Sequence, residues 1–282
     1  MTFGMGAGYD KGFQSRPFLK IRRAYQDILA AGGRKHIIHG LVQLDVTDSH
    51  AALRAQRDIG RPLSFTAFMI SAMARAVDQD RIMHAYRFRN RLVLFDEVDV
   101  NTQVEMELDG QKIVKSLLIR AANGKSVQQI TAEIRRAQQE TDPGSEQRYR
   151  GTMVFLSLPR LVRALPWRAV MANPWLYKRL GGTVAVSSVG MFGSGGGWAI
   201  PITPATLMLT LGGISLEPRF VDGVIREREL LSVTVSVDHD IVDGAIAARF
   251  VGRLRYLVES AEGLPPYHEE SHDLQPEAEM RR

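Results

Sequence analysis

The chain has 282 residues, 45% of them hydrophobic and 24% charged, close to the average for a globular protein with a sizeable core. It contains no cysteine, which excludes a disulfide framework, a thiolate zinc site and a cysteine nucleophile. A net charge of +5 points to anionic partners (nucleic acid, phospholipid or a phosphate-bearing cofactor) without choosing among them.

In chain order, residues 1–16 are glycine-rich and polar, lack the apolar run of a signal peptide, and read as a flexible arm. No stretch reaches the roughly 18 apolar residues of a membrane span, so the expected location is cytoplasmic. Helical spacing of Phe18, Ile21, Tyr25, Ile28 and Leu29 predicts a helix from Pro17 to about Ala31, stopped by Gly32-Gly33. A strand is predicted over 36–47. A helix capped by Ser49 and closed by Gly60 follows it, then a helix over 64–79 that is capped by Ser64 and apolar nearly all round. Strand sequences at RLVLF and VDVNTQVEME lead to Asp109-Gly110, a hairpin signal, and the returning strand KIVKSLLIR. Residues 126–140 form an amphipathic helix with Ser126 as its cap.

From Arg148 to Arg179 there are seven basic residues and no acidic one, interleaved with Trp167, Trp175, Tyr149, Tyr177 and Phe155. Such a stretch can lie in a membrane interface. The reading preferred here is a helix packed at a subunit interface with a solvated arginine face. A nucleic-acid surface is not expected, because no binding motif accompanies the charge. A strand, TVAVSS, then runs into the glycine loop VGMFGSGGGW, followed by the strand LMLTLGGI, a second hairpin at Asp222-Gly223 and the alternating strand SVTVSV (232–237). After the loop DHDIVDG a helix runs from Gly244 to about Ser260. Its stripe of Ile246, Phe250, Leu254, Leu257 and Val258 faces a core, and Arg249 and Arg253 point away. Residues 263–282 are proline-rich and acidic and read as disordered.

Several familiar motifs fail. GSGGGW lacks the Lys-Ser/Thr of a phosphate loop, Trp198 stands where a dinucleotide fingerprint needs its last glycine, and there is no G-x-S-x-G. His36 and His39 fall on opposite faces of a strand and the other histidines are scattered, so no metal site is expected. What remains is His239-Asp240-Ile241-Val242-Asp243-Gly244, between a core strand and an amphipathic helix. Its structural reading is a turn in which Asp243 caps the helix and Gly244 eases the bend. Its functional reading is a general base held at a rigid strand-to-helix junction.

His-x-x-x-Asp-Gly, followed by Ala-x-x-x-Arg-Phe, resembles the active-site signature of the 2-oxoacid dehydrogenase acyltransferases, which chloramphenicol acetyltransferase shares. LVQLDVT, PLSFTAFMISAMARAV and VAVSSVGMFGSGGGWAIPITPATLMLTLGGI resemble that family's first core strand, early buried helix and strand-and-glycine-loop segment, in the family's order over about 17–261. The resemblance implies an α/β (α+β) fold of two layers, a mixed β-sheet packed against helices, with residues 17–262 as one trimer-forming catalytic domain. His239 would be the general base. Aligning the loop on Gly190 and Gly193 puts Ser187 at the oxyanion-stabilising position. Ser188, facing the other way, is with Gly190 and Gly193 a candidate for cofactor binding. Asp243 would support the histidine loop by pairing with Arg22 or Arg23. The implied substrate is acyl-coenzyme A, with no metal and no bound lipoyl group. The implied acceptor is a lipoyl group on a separate protein or another small acceptor, and the implied assembly is a homotrimer or a larger cage. The sequence departs from the family at Asp240, where arginine is usual, in the segment GQKIVKSLLIR, in the basic insertion at about 148–180, and in carrying no lipoyl or partner-binding domain. Retention of His239, Asp243 and Ser187 favours an active acyltransferase; the altered GQKIVKSLLIR segment and the missing lipoyl domain favour a non-catalytic trimeric scaffold of the same fold.

Overall fold

The structure, a computed structural model, describes residues 15, 17–20, 22–108, 111–139, 151, 153–189 and 195–266. The N-terminal arm apart from residue 15, Asp109-Gly110, Gly190 and Gly193, and the tail beyond 266 therefore lie outside the described residues.

One mixed sheet organises the chain. Its strands are β1 (Ile37–Asp45), β4 (Val100–Leu108), β5 (Gln111–Ile119), β6 (Val184–Ser188), β7 (Leu207–Val221) and β8 (Val224–Asp238), in the order β1-β8-β7-β6-β4-β5. The short strands β2 (Tyr86–Phe88) and β3 (Arg91–Val93) pair separately. β6 runs parallel to both neighbours; the remaining pairs are antiparallel. Pleating sends alternate side chains of β8 to opposite faces. Leu231, Val233, Val235 and Val237 enter the main core, and Ser232, Thr234, Ser236 and Asp238 occupy the other face, also buried. The hairpin at Asp222-Gly223 forms as the sequence predicts, both residues having positive φ, with strands much longer than the alternating segment suggested.

Helices flank the sheet: α1 (Arg22–Gly32), α2 (Thr47–Asp58), α3 (Phe65–Asp78), α4 (Val127–Gln139), α5 (Arg160–Met171), α6 (Pro174–Gly181) and α7 (Gly244–Glu259). Of these, α3, α4 and α7 supply the helical side of the main core on its apolar face. α3 is buried nearly all round, and Ser64 Oγ caps it by accepting from Ala67 N–H. Ser126 and Gln129 cap α4 reciprocally. Ser49 does not cap α2. That helix begins two residues earlier, at Thr47, whose N–H donates to Asp45 Oδ1 at 3.0 Å, and Ser49 is buried with its hydroxyl on Val258 O. On α7, Phe250, Leu254, Leu257 and Val258 are buried as expected. Arg253 does not point away: its guanidinium lies against Asp80, Nη1 to Oδ2 3.7 Å, because α7 packs beside the 3-10 turn Arg81–His84.

Two expectations about the helical periphery are corrected. The first helix starts at Arg22, and the buried residues in it are Asp27 and Gly32, while Phe18, Tyr25 and Leu29 are exposed. The basic stretch keeps a solvated arginine face only in part: Arg160 and Arg168 are exposed, whereas Arg163 is buried. Arg163 is the buried residue of α5 (Arg160–Met171), bound to Asp27 by Nε–Oδ2 3.0 Å and Nη2–Oδ1 3.2 Å. Once ion-paired and hydrogen-bonded, an arginine can occupy an interior that the stripe rule reserves for leucine.

The glycine loop bears on the sheet. Gly197 bridges Gly213, and a Cβ on Gly213 would stand 1.9 Å from Gly195 O. The glycine pair 212–213 therefore lets one backbone cross another at contact distance, where β7 also slips register.

Candidate active site

His239 opens the turn after β8. Its N–H donates to His36 O at 2.8 Å, one step beyond the β1–β8 ladder. Asp238 O accepts from the N–H groups of Ile241 and Val242, both buried, which pins the turn from below. The buried Asp238 carboxylate binds Lys35 Nζ at 2.8 Å and accepts from Asp240 N–H at 3.2 Å. His239, Asp240 and Asp243 are left on the outside, and His239 is exposed in a single protomer. Sequence pattern alone thus builds a rigid pedestal: two apolar residues anchor down, three polar ones project.

Asp240, the departure from the family pattern, is not a free charge beside the histidine. Its Oδ1 accepts from His36 Nδ1 at 2.9 Å and its Oδ2 lies 3.5 Å from Arg87 Nη1. The His36 hydrogen bond first, with Arg87 and Lys35 adding, holds its carboxyl below the usual carboxylate range. Nothing in the spacing of Lys35, His36 and Arg87 marked them as supports; β1 and β2 bring them to the turn. Asp243 is the N-cap residue of α7, with its carbonyl accepting from Ala247 N–H and no capping bond from its side chain. Among the described residues neither Arg22 nor Arg23 pairs with it; Arg23 Nη1 instead donates to Leu156 O at 2.9 Å. α1 turns that arginine toward the chain preceding α5.

Ser187 is half-buried on β6, opposite Thr210, which in turn faces Thr234 on β8. Ser188 follows it and projects to the other face. From this register Ser187 and His239 are separated by two strand spacings and five residues of β8, roughly 19 Å along the sheet. No hydrogen bond can join them within one protomer. The concavities along α7 (Gln79, Arg249, Tyr256) and along α4 (Arg135, Arg136) include neither residue.

Residues 178–265 match the family described as 2-oxoacid dehydrogenases acyltransferase (catalytic domain). The lipoamide acyltransferase component of the branched-chain alpha-keto acid dehydrogenase complex of Bacillus subtilis is 24% identical over 226 residues, 78% of this chain and 46% of that protein. The chain thus spans about half the length of that relative. The cubic core of the pyruvate dehydrogenase multienzyme complex superimposes with a TM-score of 0.66 at 18% identity, over 94% of this chain and 99% of that one. A dihydrolipoamide acetyltransferase of Azotobacter vinelandii gives 0.65 at 19% identity, with the same coverage. In that enzyme a serine, a histidine 52 positions later and an asparagine four beyond it were investigated for roles in the catalytic mechanism. Residues 178–265 thus carry the segment that the acyltransferase family model describes, and the chain as a whole has the fold of these catalytic cores.

Proposed function

We propose that the protein transfers an acyl group between coenzyme A and a thiol acceptor, at sites formed between protomers of a trimer. The observation that carries this reading is that Ser187, His239 and Asp243 keep the 52- and four-residue separations of the investigated trio, while one protomer holds the serine and histidine far apart. An exposed histidine on a rigid turn and a half-buried serine on a strand then complete each other across a subunit boundary. The cubic core of the pyruvate dehydrogenase complex supports closed assembly as the natural state of this fold, here a trimer or a larger cage.

In the proposed reaction neutral His239 takes the proton of the acceptor thiol, and the thiolate attacks the thioester carbonyl. The new C–S bond forms as the carbonyl oxygen takes up the electron pair, and the Ser187 hydroxyl of a neighbouring protomer donates to that oxyanion. Collapse breaks the bond to the coenzyme A sulfur, which recovers the proton from the imidazolium. A positioned base contributes about 10²–10⁴-fold, and one oxyanion donor about 3 kcal/mol. The basic surplus of the chain suits the coenzyme's phosphates. The acceptor is a lipoyl group on a separate protein or a small thiol, and the place of action is the cytoplasm. The experiment is acyl transfer from a panel of acyl-coenzyme A donors to dihydrolipoamide, with wild type against His239→Ala. Transfer that vanishes with the imidazole is expected; inactivity of a folded trimer with every donor and acceptor would leave a scaffold.

A further inference from the structure

Helix α5 is inside out. Arg163 is buried, whereas Leu161 is 85% exposed, Leu165 62% and Val162 45%. At about 100° per residue these three occupy an arc of about 100° on the side away from Arg163. Leu158, in the bend just before the helix, is also partly exposed, at 38%. The ion pair sets this rotation. Arg163 binds both carboxylate oxygens of Asp27 and also donates from Nη1 to Leu158 O at 3.0 Å. Turning the leucines inward would pull a fully bonded charge pair apart.

The stripe has a basic surround. Arg160 and Arg168 are exposed on the same helix, and no Asp or Glu occurs between Arg148 and Leu216. An occupant must therefore be apolar within and anionic at its rim. Two copies meeting about a two-fold axis would oppose their own arginines. A deformable anionic layer meets both requirements, and no helix among the described residues is long and apolar enough to cross a membrane. We propose that α5 docks the protein on an anionic lipid surface, with the leucine stripe in the acyl–headgroup boundary and the arginines among the headgroups. This holds independently of the acyl-transfer reading.

The test is flotation of the full chain with phosphatidylglycerol–phosphatidylcholine vesicles and with phosphatidylcholine vesicles alone. The wild type floats with the anionic vesicles and is released as salt rises. Leu161→Asp/Leu165→Asp binds at least tenfold more weakly, with solution mass and circular dichroism unchanged. Leu161→Ala/Leu165→Ala, which introduces no charge, gives a smaller loss and serves if the aspartate variant misfolds. Failure of the wild type to float overturns the proposal, as does equal flotation after both pairs of substitutions. A fall in mass of either variant in lipid-free solution also overturns it, by assigning the stripe to contact between copies.

Discussion

At the scale of single residues, His239 and Ser187 should fail differently. The His239 side chain is exposed and its turn is held by backbone bonds and by Ile241 and Val242. His239→Ala is thus expected to lower transfer at least about 100-fold with an unchanged melting temperature; a drop in that temperature would assign the ring a structural role. Ser187→Ala should cut kcat by about 100-fold with little change in KM, because the oxyanion exists only on the way to product. A change confined to KM would remove the serine from that role. A third residue governs acid stability. His84 is buried beside Phe95, and desolvation, outweighing the pull of the Phe95 backbone, lowers its pKa from 6.5 to about 4. Between those values the unfolded chain binds the proton and the folded one does not. Stability is therefore full above about pH 6.5 and falls by about 3 kcal/mol as pH drops to about 4. Urea unfolding at several pH values should show that slope, and His84→Asn, which cannot titrate, should lack it.

At the scale of elements, caps and periods were readable wherever the partner lies close in sequence. Ser64 and Ser126 cap as predicted since each needs only a backbone N–H three residues on. Ser49 went elsewhere because Val258, distant in sequence, offers its hydroxyl a buried carbonyl. The joining of α1 to α5 was not readable, since nothing at Asp27 announces Arg163. That junction predicts its own chemistry. Asp27→Ala leaves a buried arginine unpaired and is expected to lower the melting temperature by about 5–10 °C. Asp27→Leu with Arg163→Met, removing both charges, should restore most of it. Calorimetry that found the double variant no better than the single would mean the junction depends on the carbonyl bonds of Arg163 instead.

At the scale of the whole molecule, the proposed reaction requires neighbours. Light scattering should return three times the chain mass, or a multiple of it. Subunit mixing is sharper. If histidine and serine come from different chains, co-refolded His239→Ala and Ser187→Ala subunits regain about a quarter of wild-type activity, the share of boundaries at which both residues survive random assortment. Mixtures as inactive as their parents would place both groups in one chain, against the separation that the strand register implies.

The sequence by itself determined what local period and turn chemistry control: the alternating strands, the hairpin at Asp222-Gly223, the buried α3, and the turn that projects His239. Its signature segment also lies within the stretch, 178–265, that matches the acyltransferase family model. Only the tertiary structure decided what depends on contacts between distant segments. It put Asp240 between His36 and Arg87, withheld Arg22 and Arg23 from Asp243, parted Ser187 from His239, and turned α5 so that its leucines face outward. The physical reason is one of range. Backbone preference and side-chain period act over a few residues, whereas a buried charge takes whichever partner the packed fold brings within hydrogen-bonding distance.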